Sequence, residues 1–311
     1  MSIYVTVDGG TTNTRVNLVS DGKLLASEKI SIGAKDCKGG NEELKNAISH
    51  SIDKLCLHFN IKKEEITAVI ASGMITSEYG LCNLPHIEAP SGIAELHRGM
   101  KRVDGLFPEL SCYFIPGVKL TSDDALSADM MRGEETEIIG LSHSHGEGTL
   151  YILPGSHSKH VRLDKDGRIY DFKTLMTGEM ISALAGGTIL SGSVRLDLEG
   201  FDKQALLAGY DAALKLGLNG ALFKTRIMKN LFSKTEAECY SFFLGAILSG
   251  ELSGGFEDGI TTAVIGGKAS LREPTAYIIS ERTSVKPISP SDEECELATT
   301  LGAIRIFEFS E

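Results

Sequence analysis

The sequence predicts a two-domain α/β protein. Its 311 residues suffice for two domains of ordinary size, each with its own hydrophobic core. A strand–loop–strand–turn–strand pattern opens the chain and recurs in its second half, as expected of an internally duplicated unit. The polar stretch 142–148 separates the two occurrences. We therefore expect one domain at residues 1–141, completed by a closing helix at 292–311, and a second domain at 142–291.

The first occurrence of the pattern lies within residues 3–30. Apolar and polar residues alternate over 3–7 and again over 16–20, and the polar, glycine-containing stretch 8–14 separates these two runs. Asp21-Gly22 is a hairpin turn that leads into a third strand. The glycine-containing loop thus joins two antiparallel strands, whereas a dinucleotide-binding fold would place a helix directly after it.

The second occurrence begins after the polar boundary, and its loop is the segment 154–159. The remaining elements follow from their periodicity. Strands are predicted at 66–71, 112–118, 149–153, 161–163, 168–174 and 260–265. Helices are predicted at 41–59, 125–141, over most of 201–254, and at 292–309, where Ala298 and Gly302 suit close helix packing.

Composition excludes several classes of function. The net charge of −11 makes the average surface repel nucleic acid and anionic lipid, so neither is an expected partner. No apolar run approaches the ~20 residues of a membrane span, and the N-terminus lacks the basic region of a secretory signal. Six scattered cysteines favour a reduced, cytoplasmic chain. A homodimer is compatible with the sequence.

The first loop has the composition of a phosphate-binding hairpin. Gly10 allows backbone amides to face an anion, and Thr11 and Thr12 add hydroxyl donors. Asp8, at the end of the preceding strand, could hold Mg²⁺ through water, because magnesium binds hard oxygen ligands. A tight hairpin stabilised by its threonines explains the same residues equally well.

Two further glycine-containing segments complete the candidate nucleotide site. The second loop presents Ser156, Ser158 and Lys159 in the place equivalent to the first loop, so two such hairpins facing each other would clamp a polyphosphate. Gly266 and Gly267 follow a strand and would let a ribose or a flat ring approach the backbone. Each segment also fits an ordinary turn.

The order of these parts resembles that of the actin, chaperone ATPase and sugar kinase superfamily. Several blocks further resemble the signatures of the 2-dehydro-3-deoxygalactonokinase family, and the resemblance runs essentially from end to end. These blocks are Met131-Arg132-Gly133-Glu134-Glu135-Thr136, Leu153-Pro154-Gly155-Ser156-His157-Ser158-Lys159, Asp171-Phe172-Lys173-Thr174-Leu175-Met176-Thr177-Gly178-Glu179, and Ser72-Gly73-Met74 with Ser77.

The resemblance implies two actin-like (ribonuclease H-like) domains with a nucleotide cleft between them. It implies ATP-dependent, Mg²⁺-assisted phosphorylation of the C6 hydroxyl of 2-dehydro-3-deoxy-D-galactonate, a step of galactonate breakdown. Asp8 would hold the magnesium ion while both loops hold the phosphates. Gly266 and Gly267 would form the adenine–ribose turn.

The resemblance also implies roles for the charged residues. A carboxylate should orient the acceptor hydroxyl, and the candidates are Asp129, at the expected start of the connecting helix, and Glu134. The keto acid anion calls for a cation, for which Arg132, Lys159 and Arg226 are candidates. Together with Ser77 of the matching blocks, these cations are the predicted sugar acid contacts: Ser77, Arg132, Lys159 and Arg226.

Two alternatives stay open. The chain departs from the family pattern at Gly9, Leu81 and His160, where Trp is common, and at Thr76, where Gly is common. These departures would suit a kinase of the same fold that acts on another sugar acid, polyol, amino sugar or pantothenate-like alcohol. A slow ATPase whose nucleotide state controls binding to a protein partner is the other alternative.

Overall fold

The N-terminal alternation folds as predicted, into three consecutive strands. The computed structural model describes residues 2–37, 40–142, 148–252, 256 and 259–310. Its strands are β1 (Ile3–Gly9), β2 (Thr14–Ser20), β3 (Lys23–Ile30), β4 (Ile66–Gly73), β5 (Ile87–Glu88), β6 (Lys101–Phe107), β7 (Leu110–Phe114), β8 (Val118–Leu120), β9 (Asp129–Met131), β10 (Thr149–Leu153), β11 (Ser158–Leu163), β12 (Ile169–Leu175), β13 (Thr262–Ile265) and β14 (Lys286–Ile288). Its α-helices are α1 (Glu42–Phe59), α2 (Ile93–Gly99), α3 (Glu134–Leu141), α4 (Thr177–Gly187), α5 (Lys203–Phe232), α6 (Glu236–Leu252), α7 (Ala269–Arg282) and α8 (Asp292–Phe307).

The chain divides into two units. The first unit comprises Met1–His145, Leu163–Phe172 and Glu293–Glu311, and the second comprises Gly146–Arg162 and Lys173–Asp292. Residues 143–147 of the predicted boundary stretch lie outside the described residues. The domain limits inferred from the sequence therefore stay a prediction, and the two units are described separately below.

The first unit is organised by a mixed sheet. Among the described residues its strands run in the order β3-β2-β1-β4-β7-β6. β1 pairs antiparallel with β2, whereas β1, β4 and β7 run parallel, with Asp8 opposite Ser72 and Gly9 opposite Gly73. The parallel strands consequently end at one edge of the sheet, where ligands of open α/β sheets bind.

The predicted first helix covers one face of this sheet. Leu44, Ile48, Ile52 and Leu55 recur at helical spacing along α1, and all are buried in one apolar cluster with residues of the sheet such as Val5. This side of the sheet is therefore anchored by a continuous hydrophobic core.

The second unit repeats the opening of the first. In the described residues its sheet contains the strand order β11-β10-β13-β14, in which β10 pairs antiparallel with β11 and parallel with β13. The series β11-β10-β13 corresponds to the series β2-β1-β4 of the first unit. The duplicated strand order agrees with the repeat read from the sequence.

Helices α4 to α7 cover the second sheet. The predicted helical region from residue 201 onward forms α5 and α6, whose buried faces share one apolar cluster with β10 and β13. Gly217 interrupts α5 with a φ of 73°. No helix in the described part of the chain combines the length and apolarity needed to cross a bilayer.

The helix predicted at 125–141 is wrong in its first half. Asp129–Met131 is strand β9, which pairs antiparallel with β8, and α3 begins at Glu134. Gly133 separates the two elements because its φ of 112° is incompatible with helical backbone. Asp129 therefore lies on a strand, not at the start of the connecting helix.

The last helix packs closely on α3, as its small residues predict. A Cβ atom at Gly302 of α8 would overlap the carbonyl oxygen of Thr136 in α3. On β1 and β2, the hydroxyl of Thr6 lies 3.1 Å from that of Thr300, and the amide of Asn17 donates to the Thr300 hydroxyl at 2.7 Å. Helix α8 thus belongs to the core of the first unit.

Candidate active site

Three backbone segments meet at the carboxyl edge of the first sheet. Gly73 lies so close to β1 that a Cβ atom there would be 2.6 Å from the carbonyl oxygen of Gly9 and 3.3 Å from Oδ1 of Asp8. A Cβ atom at Gly133 would be 3.1 Å from the Cα atom of Gly73. Because neither glycine has a side chain, the Gly133 turn before α3 packs against Gly73, and Gly73 in turn packs against Asp8.

Acidic residues gather at this edge. Burial raises the pKa of Asp8, the nearby charge of Arg15 opposes that rise, and the charge of Glu134 adds to it. Oε2 of Glu134 accepts a hydrogen bond from the backbone N–H of Arg132 at 3.1 Å. Asp8 and Glu134 therefore repel each other, and a cation placed between them would relieve that repulsion.

Glu135 lies behind these two carboxylates and is fully buried. Its two oxygens lie 2.9 Å and 2.8 Å from the backbone nitrogen of Gly133, whose N–H donates to them. Burial raises its pKa to about 8, and the charge of Glu134 contributes to that rise. Glu135 consequently holds the Gly133 turn in place from inside the unit.

The first predicted phosphate loop is a closed hairpin whose threonines face outward. The N–H of Gly10 donates to the carbonyl of Asn13 at 2.9 Å. The carbonyls of Gly10 and Thr11 accept from the N–H groups of Ala34 and Lys35 at 3.1 Å and 3.0 Å. The side chains of Thr11 and Thr12 are exposed, so their hydroxyls are accessible to a ligand.

Arg132 holds the segment between β4 and β5. Its Nη1 donates to the carbonyl and hydroxyl oxygens of Thr76 at 2.7 Å and 2.6 Å. Its Nη2 donates to the carbonyl of Leu84 at 2.9 Å and lies 3.2 Å from Nδ1 of His86. The four terminal N–H bonds of the guanidinium are thereby taken up within the first unit.

Two other predicted residues of the first unit have local partners. The Ser77 hydroxyl donates to the carbonyl of Met74 at 2.7 Å, which closes the turn after β4. Oδ1 of Asp129 accepts from the N–H of Met130 at 2.7 Å. Ser77 therefore belongs to the segment that Arg132 supports.

The second loop closes on itself through its buried residues. Ser158 is fully buried, and its hydroxyl oxygen accepts from the N–H of Gly155 at 3.3 Å. Lys159 is 3% exposed, and its ammonium donates to the carbonyl of His157 at 2.9 Å. Ser156 is exposed at the tip, so its hydroxyl is the accessible one of the two predicted serines.

The start of α4 supports this loop. The N–H groups of Gly178 and Glu179 donate to the carbonyls of Gly155 and Ser156 at 3.0 Å and 3.2 Å. Nε2 of His157 lies 3.0 Å from the carboxylate of Glu179. The loop tip is thus held by backbone hydrogen bonds as well as by a side-chain pair.

The predicted nucleoside turn adjoins the same loop. Gly267 has a φ of 72°, and a Cβ atom there would be 2.7 Å from the carbonyl oxygen of Pro154. The buried guanidinium of Arg272 donates to the Gly267 carbonyl at 2.7 Å and also pairs with Asp292. The second unit therefore brings the 154–159 loop and the Gly266–Gly267 turn together.

Sequence reasoning did not single out Arg272, and it placed Arg226 in the site. A basic residue close behind a glycine pair at the start of a helix is the signal that would have identified Arg272. Arg226 lies on α5 and is partly exposed. Within the described residues it makes no hydrogen bond or ion pair with the loop or the turn.

A family model described as 2-keto-3-deoxy-galactonokinase matches residues 8–289. The chain is 26% identical over 255 residues to the 2-dehydro-3-deoxygalactonokinase of Escherichia coli (strain K12), covering 80% of this chain and 79% of that protein. It is 28% identical over 284 residues to a Rhizobium meliloti (strain 1021) protein assigned the same activity, covering 86% and 87%.

Solved structures agree with these sequence matches. A crystal structure of a Sinorhizobium meliloti protein assigned as a 2-dehydro-3-deoxygalactonokinase has a TM-score of 0.75 at 25% identity, covering 98% of this chain and 100% of that one. The 2-hydroxyisocaproyl-CoA dehydratase activator of Clostridium difficile, solved with bound ADPNP, has a TM-score of 0.52 at 14% identity, covering 97% and 93%, and shares the actin-like fold. The protein is a kinase, and the chain belongs to the 2-keto-3-deoxy-galactonokinase family.

Proposed function

We propose that this protein transfers the γ-phosphoryl group of ATP to the C6 hydroxyl of 2-dehydro-3-deoxy-D-galactonate, as a step of galactonate breakdown. Family membership and the activity named for its relatives support this proposal. The observation that carries the site assignment is the meeting of Asp8, Gly73 and the start of α3 at the carboxyl edge of the first sheet. Phosphoryl transfer needs such positioned charge more than it needs covalent help from the protein.

Three glycine-containing segments supply the proposed nucleotide contacts. Amide and hydroxyl groups of Gly10, Thr11 and Thr12 would bind the phosphates, and the exposed Thr11 and Thr12 side chains support this role. Ser156 would contribute a further hydroxyl, while Ser158 shapes the second loop from inside. The Gly266–Gly267 turn would contact the ribose and adenine.

The residues at the first edge fit a magnesium ion. In the described part of the chain, no group of three or more His, Cys, Asp or Glu side chains forms a metal site. Magnesium in kinases is bound through one or two carboxylates together with water and substrate phosphates, so Asp8 alone satisfies the protein's share. Burial is the main cause of the raised pKa of Asp8, with the charge of Glu134 adding to it, and a bound cation would favour the ionised carboxylate. When bound, the ion would neutralise charge on the transferring phosphoryl group.

A carboxylate would orient the acceptor hydroxyl and accept its proton. We assign this role to Glu134 ahead of Asp129, since the charge of Glu134 acts directly on Asp8. Asp129 lies earlier in the chain, on strand β9, and remains the second candidate. General-base assistance of this kind contributes roughly 10²–10⁴-fold to rate.

The carboxylate of the sugar acid requires a cation. Arg132 and Lys159 donate to backbone carbonyls of their own units, which supports a loop-shaping role for both. Arg226, on α5, remains a candidate from the sequence alone. Ser77 would add a hydroxyl contact from the segment that Arg132 supports.

A coupled ADP-release assay against a panel of sugar acids tests the proposal. We expect turnover that depends on 2-dehydro-3-deoxygalactonate and on Mg²⁺. Preference for another sugar acid or polyol would reassign the substrate within the same fold. Slow hydrolysis of ATP, independent of any acceptor, would contradict the proposal. We further propose that the reaction takes place in the cytoplasm, since six scattered cysteines are typical of a chain in a reducing compartment.

A further inference from the structure

A buried acid lies behind the second phosphate loop. The side chain of Glu251, near the end of α6, is 1% exposed. It directly follows residues 239–250, which contain no charged side chain. Burying a carboxylate is costly unless it is hydrogen-bonded, so a position of this kind indicates a specific task.

Each oxygen of this carboxylate has a partner on a different element. Oε1 lies 3.1 Å from Nε2 of His160 on β11, and Oε2 accepts from the Thr177 hydroxyl of α4 at 2.6 Å. Both partners are largely buried, with 13% of the His160 side chain and 4% of Thr177 exposed. At this distance the ring nitrogen and the carboxylate oxygen share one hydrogen bond.

Both partners adjoin the 154–159 loop. His160 directly follows Lys159, the last residue of that loop. Thr177 begins α4, and the next two N–H groups of that helix, on Gly178 and Glu179, donate to the loop carbonyls. Glu251 thus fixes both the strand that leaves the loop and the helix end on which the loop rests.

We propose that Glu251 is a positioning residue for nucleotide binding. Its carboxylate locks β11 and α4 together, so the 154–159 loop has its binding geometry before the nucleotide arrives. A preformed loop avoids the entropic cost of ordering on binding. This inference rests on the proposed function, which assigns phosphate binding to that loop, and it deepens that proposal by naming the residue that maintains the loop.

Calorimetric titration with Mg²⁺–ADP tests this role without any sugar acid. We expect Glu251→Leu to weaken ADP binding about tenfold, the effect of losing charge-assisted hydrogen bonds. Glu251→Gln should restore much of the affinity, because its amide oxygen still accepts from Thr177. Thr177→Val removes one hydrogen bond at nearly constant volume and should weaken ADP binding about threefold to fivefold. If Glu251→Leu does not fold, the ADP affinity of Thr177→Val decides whether the inference holds.

Glu238→Gln is the matched control on the same helix. Glu238 bonds with Lys234 and Thr235 at the opposite end of α6, so its loss should lower the melting temperature and leave ADP affinity unchanged. The inference is overturned if Glu251→Leu, or Thr177→Val in its place, binds ADP within twofold of the wild type. A wild-type protein that binds ADP but ignores the sugar acid contradicts the proposed substrate and leaves this test intact. A wild-type protein that binds no ADP overturns both.

Discussion

Replacing Glu135 by Gln should change how the stability of the first unit depends on pH. The folded protein holds this carboxyl at a pKa of about 8, whereas its ordinary value is 4.5. Between these values the folded state keeps a proton that the unfolded chain releases. The free energy of unfolding therefore falls as pH rises through this window, because the folded pKa is the higher one.

The size of the effect follows from the two pKa values. At about 1.4 kcal/mol per pH unit, the full difference between about 8 and 4.5 is about 5 kcal/mol. About 2 kcal/mol of this is lost between pH 6 and pH 8. Gln has nearly the same size, its oxygen still accepts from the Gly133 N–H, and it has no proton to lose over this range. Relative to the wild type, Glu135→Gln should therefore gain about 2 kcal/mol over the same interval.

Thermal unfolding at pH 6 and pH 8, at constant ionic strength, measures this gain. It corresponds to roughly 4–8 °C in the relative melting temperature of a unit of this size. The control is Glu78→Gln, which removes an exposed carboxylate from the same unit. An identical difference between wild type and Glu135→Gln at both pH values would refute the reasoning, because Glu135 would then titrate alike in both states.

Three further predictions concern the site. Gly267→Ala places a Cβ atom 2.7 Å from the Pro154 carbonyl at a positive φ; KM for ATP should rise about tenfold, and unchanged nucleotide kinetics would remove the turn from the site. Arg132→Lys replaces a fork by a point charge, so chemical denaturation should show a loss of about 2 kcal/mol, and a loss below about 0.5 kcal/mol would mean that its hydrogen bonds are not stabilising. Glu134→Gln should lower kcat by about 10²-fold or more with Asp129→Asn much closer to wild type, and the reverse order would transfer the base role to Asp129.

The repeated β pattern could be predicted because alternation is a local property. Residues 3–30 contain two hairpin signals within the chain itself, and the buried face of α1 follows directly from its spacing. The start of α3 could not be placed in the same way. Residues 125–141 have the sequence pattern of one helix. The turn at Gly133, however, depends on close contact with Gly73, which is distant in the sequence, and on a hydrogen bond to the buried carboxylate of Glu135.

The residues of the candidate site differ in how far the sequence alone reveals them. Exposed loop residues such as Thr11, Thr12 and Ser156 are recognisable from the composition of their loops, and the structure leaves their side chains accessible. Glu251 carries no local pattern, since its partners His160 and Thr177 lie 91 and 74 residues away along the chain. Arg272, by contrast, lies five residues after its partner Gly267, so a local signal for it exists. Their importance becomes visible when burial is known.

The packing of α8 has a consequence for how the protein is made. Thr300 completes a hydrogen-bonded cluster with Thr6 and Asn17, and Gly302 fits against α3, which leads to the acidic edge. The surface of β1 and β2 therefore stays uncovered during synthesis until residues 283 to 294 positions later in the chain have been made. A nascent chain stopped near residue 290 would contain every proposed catalytic group. It would still lack α8, the helix that packs on α3 and on the first strands.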